Sequence, residues 1–199
     1  MTRITLPRPE TRGRVSVEEA IHERISRRSF QDQSLSLAQA GQLLWSAGGL
    51  GAAATAGVTR AAPSAGATYP LELYLAAGRV EGLDAGLYHY DFRAHALEIL
   101  QRADLRSRLA RACLGQKVVA QAPASMVMVA LYERTTRRYG ERGYRYVYME
   151  AGYVSQNIYL QAEALQLATV AVGAFDDAAV KEILAVEGAP LLLMPVGIR

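Results

Sequence analysis

The chain has 199 residues, 22 of them Lys or Arg and 19 Asp or Glu, for a formal net charge of +3 with His neutral. A chain of this size buries roughly 70% of its unfolded surface, and 51% hydrophobic residues supply a core, which excludes wholesale disorder and collagen-like repeats. The lone Cys113 excludes an intramolecular disulfide or a cysteine-built zinc site and suits a reducing compartment, while +3 falls short of the basic footprint of a nucleic-acid binder.

Residues 1–15 (MTRITLPRPETRGRV) lack sustained periodicity and the apolar stretch of a secretory signal, so they are expected to form an arm preceding one domain over 16–199. Ser16 followed by Glu19 predicts a capped helix with Val17, Ala20, Ile21 and Ile25 at helical spacing, ending near Ser26–Ser29. A second helix follows Ser36, carries Leu37, Ala40, Leu43 and Leu44, and stops at Gly48-Gly49. Gly48 to Thr68 reads as a long loop, of the kind that serves function or stays unstructured. No segment is hydrophobic enough for a transmembrane helix, and a cytoplasmic location is expected.

Strands are predicted at Leu71–Ala77, Gly86–Tyr90 and Ala96–Leu100, the last two as a hairpin. Leu105–Leu114 reads as a helix, and the apolar run Ala124–Leu131 as a strand covered on both faces. The longest helix spans Gly143–Leu167, with Tyr144, Val147, Tyr148, Ala151, Val154, Ile158, Ala162 and Leu165 on one stripe. Thr169–Val172, Asp176–Leu184 and Leu191–Val196 complete the pattern as strand, helix and strand. The expected class is α+β, helices around a mixed or antiparallel sheet.

Four segments can carry chemistry, and each has a plainer reading. Arg27, Arg28 and the flanking Ser26 and Ser29 either clamp a phosphate or finish a helix. Pro63-Ser64-Ala65-Gly66 forms either a rigid loop approached by a flat ligand or a connector. Gln156 and Asn157, an amide pair in an apolar helix, face a buried partner or a neighbouring helix. Gly173 and Ala174 lie where a strand meets a helix, leaving amides for a ligand or merely a turn. The scattered His22, His89 and His95 offer no metal-ligand spacing. The Arg134–Tyr148 run, diluted by glutamates, reads as a solvated face or interface before a nucleic-acid surface. Neither a P-loop nor a dinucleotide-binding glycine pattern is present.

Taken in order, S-R-R-S-F, A-P-S-A-G-A-T-Y-P-L-E-L-Y, G-L-Y-H-Y-D, R-Y-G-E-R-G-Y-R-Y, E-A-G-Y-V-S-Q-N-I-Y-L-Q-A and V-G-A-F-D-D resemble the nitroreductase family, in particular its SagB-type dehydrogenase branch. The resemblance spans roughly Ser16 to Gly197. It implies an intertwined homodimer with FMN at the subunit interface. Arg27, Arg28 and Ser29 then match the phosphate grip, Pro63, Ser64, Ala65 and Gly66 the loop reaching the partner subunit's flavin, and Gly173 and Ala174 the backbone beside the reactive ring edge. Gln156 and Asn157 match a recurrent pair on the dimer helix. Arg199 is expected to take the place of a basic tail residue at the phosphate.

The implied activity is a ping-pong FMN-dependent oxidoreductase, with NAD(P)H or an organic donor and a small nitro- or quinone-like acceptor. The alternatives are oxidation of azoline rings in peptides and a non-catalytic flavin- or nucleic-acid-binding protein. The resemblance puts Arg138-Tyr139 where the azoline-oxidising branch carries a Lys–Tyr pair. Arginine stays protonated and makes a poor base, so Tyr139 is the candidate proton donor. No metal, nucleic acid or membrane partner is expected.

Overall fold

The computed structural model describes residues 3–52 and 59–199. The central part of the predicted 48–68 loop, residues 53–58, lies outside the described residues, as do the first two residues of the arm. Seven strands form one sheet: β1 (Arg3–Thr5), β2 (Leu71–Ala77), β3 (Gly86–Asp91), β4 (Ala96–Gln101), β5 (Ala124–Ala130), β6 (Leu167–Thr169) and β7 (Ala189–Ile198). Their order is β1-β4-β3-β2-β5-β7-β6, and every pairing between them is antiparallel. Within the stretch expected as an arm, Arg3–Thr5 pair with Ala96–Glu98 and extend the sheet by one strand.

The helices are α1 (Val17–Glu23), α2 (Leu37–Gly48), α3 (Arg106–Ala112), α4 (Lys117–Gln121), α5 (Glu133–Tyr139), α6 (Arg142–Ala164) and α7 (Asp177–Leu184). They cover both faces of the sheet. All seven residues of β5 are buried, and their two-residue alternation splits them between two cores. Met126 and Met128 join α2 and α6 through Leu43, Leu44, Val154 and Ile158. Val127 and Val129 join α3, α4 and α7 through Leu109, Val119, Val180 and Leu184. The apolar run of β5 thus reflects helices on both faces of an antiparallel sheet. Among the described residues no helix is long and apolar enough to cross a membrane.

Four local expectations are corrected. The first helix ends at Glu23, because Arg24 leaves helical geometry, so the S-R-R-S-F segment is extended chain. Of its predicted stripe only Ala20 is buried, and Val17, Ile21 and Ile25 face outward. On α6, Tyr144 and Tyr148 lie on the exposed side, leaning over Tyr132 with ring centroids 4.9 and 6.0 Å away. The strand after α6 is Leu167–Thr169; Val172 makes only an isolated bridge to Leu193.

Candidate functional site

The S-R-R-S-F segment runs across the end of the sheet. The Arg27 N–H donates to the Thr169 carbonyl (3.0 Å) and the Gln31 N–H to that of Ile198 (2.9 Å). Between them Phe30 sits directly on Gly197, where a β-carbon would lie 2.7 Å from its ring. Arg27 and Arg199, from distant parts of the chain, converge on Glu163 of α6: Arg27 pairs with Oε1, and Arg199 Nη1 donates to Oε2 at 2.9 Å. Glu163 is only 4% exposed. Arg28 and Ser29 are exposed and, among the described residues, their side chains make no hydrogen bond to the protein.

Tyr159, one turn earlier on α6, joins this corner to the β6–α7 connection. Its hydroxyl lies 3.0 Å from Ser26 Oγ and accepts the Ala171 N–H at 2.8 Å. Gly173 and Ala174 follow, both exposed, with no backbone partner for their amides among the described residues. The Ala174 carbonyl takes the Gln116 amide (3.0 Å), and Asp176 caps α7 through the Ala179 N–H (2.9 Å). Thus Arg27 and Arg199 meet at Glu163, Tyr159 links Ser26 to Ala171, and Arg28, Ser29, Gly173 and Ala174 adjoin these residues along the chain.

The Pro63–Gly66 loop stands elsewhere. Ser64 Oγ accepts the Tyr69 N–H at 2.9 Å, and its hydroxyl donates to Glu150, in the N-terminal half of α6. Gly66 has φ of 59°, and a β-carbon there would lie 2.5 Å from Tyr139 Oη and 2.8 Å from Arg138 Nη1. Arg138 Nη1 donates to the Gly66 carbonyl (3.2 Å), the Thr68 and Thr135 hydroxyls meet at 2.8 Å, and Arg134 donates to the Tyr69 carbonyl (2.9 Å). Helix α5 therefore clasps the loop, and Tyr139 Oη belongs to it. Glu150 and Glu163 are thirteen positions apart on α6, which at 1.5 Å per residue sets the loop about 20 Å from the Arg27 corner.

Burial pushes the Glu150 carboxyl up to about 7, against the Ser64 hydrogen bond and the charge of Arg60. Arg60 is itself held between the rings of Tyr69 (4.7 Å) and Phe92 (3.7 Å), and burial lowers its basicity. The predicted amide pair divides. Asn157 donates to the Ser46 (3.0 Å) and Ala61 (3.4 Å) carbonyls, tying α2 to the chain entering the loop beside a cavity of about 570 Å³. Gln156 is exposed. Cys113 is buried, which pushes its thiol up to about 11 and leaves it unreactive.

The motif reading passed over Glu163, Tyr159 and Arg60, and took Arg134 and Glu150 only as members of a charged run and of the Gln156-Asn157 segment. One signal was available: Glu150 falls three residues after Val147 and four before Val154, on the buried stripe, where an acid needs a partner.

A profile described as the nitroreductase family matches residues 21–198. A protein of Methanocaldococcus jannaschii named as a nitroreductase is 43% identical over 188 residues, 92% of this chain and 91% of its own. A solved structure described as a nitroreductase from Ralstonia eutropha is 31% identical with a TM-score of 0.85, covering 98% of this chain and 89% of that one. A chain of the Escherichia coli microcin synthetase complex, solved with a truncated pro-microcin bound, is 26% identical with a TM-score of 0.75, over 98% of this chain and 77% of its own.

Proposed function

Because the chain belongs to the nitroreductase family of flavin-dependent oxidoreductases, we propose that it binds FMN as a homodimer and reduces small organic acceptors with electrons from a nicotinamide or organic donor. The observation that carries this reading is the convergence of Arg27 and Arg199 on one buried carboxylate, one turn of α6 from the Tyr159 hydroxyl that takes the Ala171 N–H two residues before Gly173. The donor set fits a phosphate monoester: the Arg27 and Arg199 guanidinium groups, with Arg28 and the Ser29 hydroxyl next to Arg27 along the chain. Arg27, Arg28, Ser29 and Arg199 would hold the phosphate, and the Gly173 and Ala174 amides would face the ring system.

When bound, FMN supplies the hydride chemistry, so the chain's own residues bind, orient and move protons. The Pro63–Gly66 loop lies too far from the Arg27 corner to complete the same subunit's site. An exchange of loops across a two-fold axis answers this, each loop serving the partner. The interface this requires is available on α6, where Met149 and Tyr153 are 47% and 49% exposed and Gly152 between them faces open space. The Val17, Ile21 and Ile25 stripe of α1 adds apolar area. Tyr139 Oη, carried with the loop, then holds the proton delivered to the reacting substrate. We place this activity in the cytoplasm, in one domain that takes in β1 as well as residues 16–199, with Gln156 on the dimer face.

A second reading, oxidation of azoline-like rings in a peptide, is supported by the likeness to the microcin synthetase chain. It lacks a base, since Arg138 stays protonated and is engaged with the Gly66 carbonyl. Purified protein should be yellow or take up FMN, elute as a dimer, and oxidise NAD(P)H in the presence of a quinone or nitro compound. Colourless protein that takes up no added FMN overturns the proposal.

A further inference from the structure

Glu163 is an expensive residue at its position. A carboxylate 4% exposed requires compensation, and one guanidinium would neutralise it. It has two, one on each oxygen, Arg27 on Oε1 and Arg199 on Oε2. The surplus leaves the side chains of this trio at +1. A phosphate monoester carries about −1.5 to −2 at neutral pH.

Neither arginine is otherwise well held. Arg27 has, besides Glu163, only a 3.4 Å contact to the Glu23 carbonyl, and Arg199 no second side-chain partner among the described residues. Two like charges brought this close repel unless an anion sits between them. Each guanidinium gives Glu163 one or two of its five N–H donors and keeps the rest.

We infer that Glu163 is the positioning residue of the phosphate clamp: it holds Arg27 and Arg199 in a shared geometry and so sets the preference for FMN over flavin lacking the phosphate. The inference rests on the FMN reading above. Neutralising Glu163 has two opposed effects. It adds net positive charge, which alone would tighten FMN, and it releases the two arginines to separate, which weakens it. The removed charge lies behind the two guanidinium groups and acts on a phosphate only at a distance, whereas alignment acts on the hydrogen bonds to it directly, so loss of alignment dominates.

The test is fluorescence titration of apoprotein with FMN and with riboflavin, for the native chain, Glu163→Gln, Arg27→Ala and Arg199→Ala. Expected is a native preference for FMN that falls on the order of tenfold or more in Glu163→Gln, with riboflavin affinity unchanged. Retained or tighter FMN binding in Glu163→Gln, with the preference lost in Arg27→Ala, overturns the positioning role and leaves the phosphate site standing. A preference undiminished in both arginine variants overturns the site itself. Equal loss of both flavins in Glu163→Gln assigns the residue to folding alone and also overturns the role. If that variant does not fold, Glu163→Asp, which keeps the charge but draws it back one methylene, decides: a reduced preference upholds the role and a native one overturns it.

Discussion

Two buried acids on α6, one near its middle and one at its C-terminal end, solve one problem in different ways. Glu150 and Glu163 are the same residue type on the same helix, 5% and 4% exposed. Glu163 is met by two guanidinium groups that keep spare donors toward solvent. Glu150 is met by the Ser64 hydroxyl and the charge of Arg60, and burial pushes its carboxyl up to about 7. In the proposed site the paired acid organises charge for a ligand, whereas the one held by a hydroxyl acts as the pin of a loop and responds to pH. Partners, not burial, decide the role.

The most direct way to break this comparison is to separate the regions that the proposed dimer brings together. Gly152→Arg adds bulk where the monomer has open space, so the fold should persist while light scattering reports monomer and flavin occupancy falls to near zero. A stable flavin-loaded monomer would show that both regions serve one subunit's site. Next in size, Arg27→Ala leaves Glu163 with Arg199 alone. Breaking a buried ion pair costs about 3–5 kcal/mol, and the surviving partner places this case near about 3. Urea unfolding of apoprotein measures it, and unchanged stability would remove the contrast.

At Glu150 the effect is a pH dependence. A carboxyl whose folded pKa is raised from 4.5 to about 7 binds its proton more tightly when folded. Stability is therefore greatest below the unfolded value and declines as pH rises from about 5 through 7. Allowing for partial solvent screening, the loss is roughly 2 kcal/mol between pH 5 and 8. Melting curves of the native chain should show this slope and those of Glu150→Gln should lack it; matching slopes would remove the loop-pin reading. Smallest is Gly66→Ala, costing about 1–2 kcal/mol for a side chain in left-handed backbone. Because the new methyl also displaces Tyr139 Oη and Arg138, turnover should fall more than stability, and equal losses would detach Tyr139 from the chemistry.

Much of this architecture was legible in the residues. The strands β2, β3, β4 and β5 and the helices α2 and α6 were close to their predicted spans, because alternation and helical spacing persist over enough residues to be distinctive. β1, α4 and α5 were not assigned. At three and five residues β1 and α4 are too short for a period to register, and β1 exists only through pairing with β4, far along the chain; α5, ERTTRRY, buries only Thr135 and so carries no apolar stripe. The site was legible as separate motifs and not as an arrangement. Nothing near Arg27 or Arg199 in sequence says that both turn to Glu163, and only the fold divides the loop from that corner. The two acids announced themselves only as charges on an apolar stripe.

The seating of Phe30 on Gly197 has a consequence for timing. Because the Arg27 segment is laid over the end of β7 and bonded to Ile198, it has no fixed course until the last strand docks. During synthesis the proposed anion-binding corner is therefore assembled last, although half its proposed ligands emerge among the first thirty residues. A nascent chain still lacking β7 would hold these arginines without the order that the proposed selectivity needs, so cofactor loading would wait on completion of the sheet.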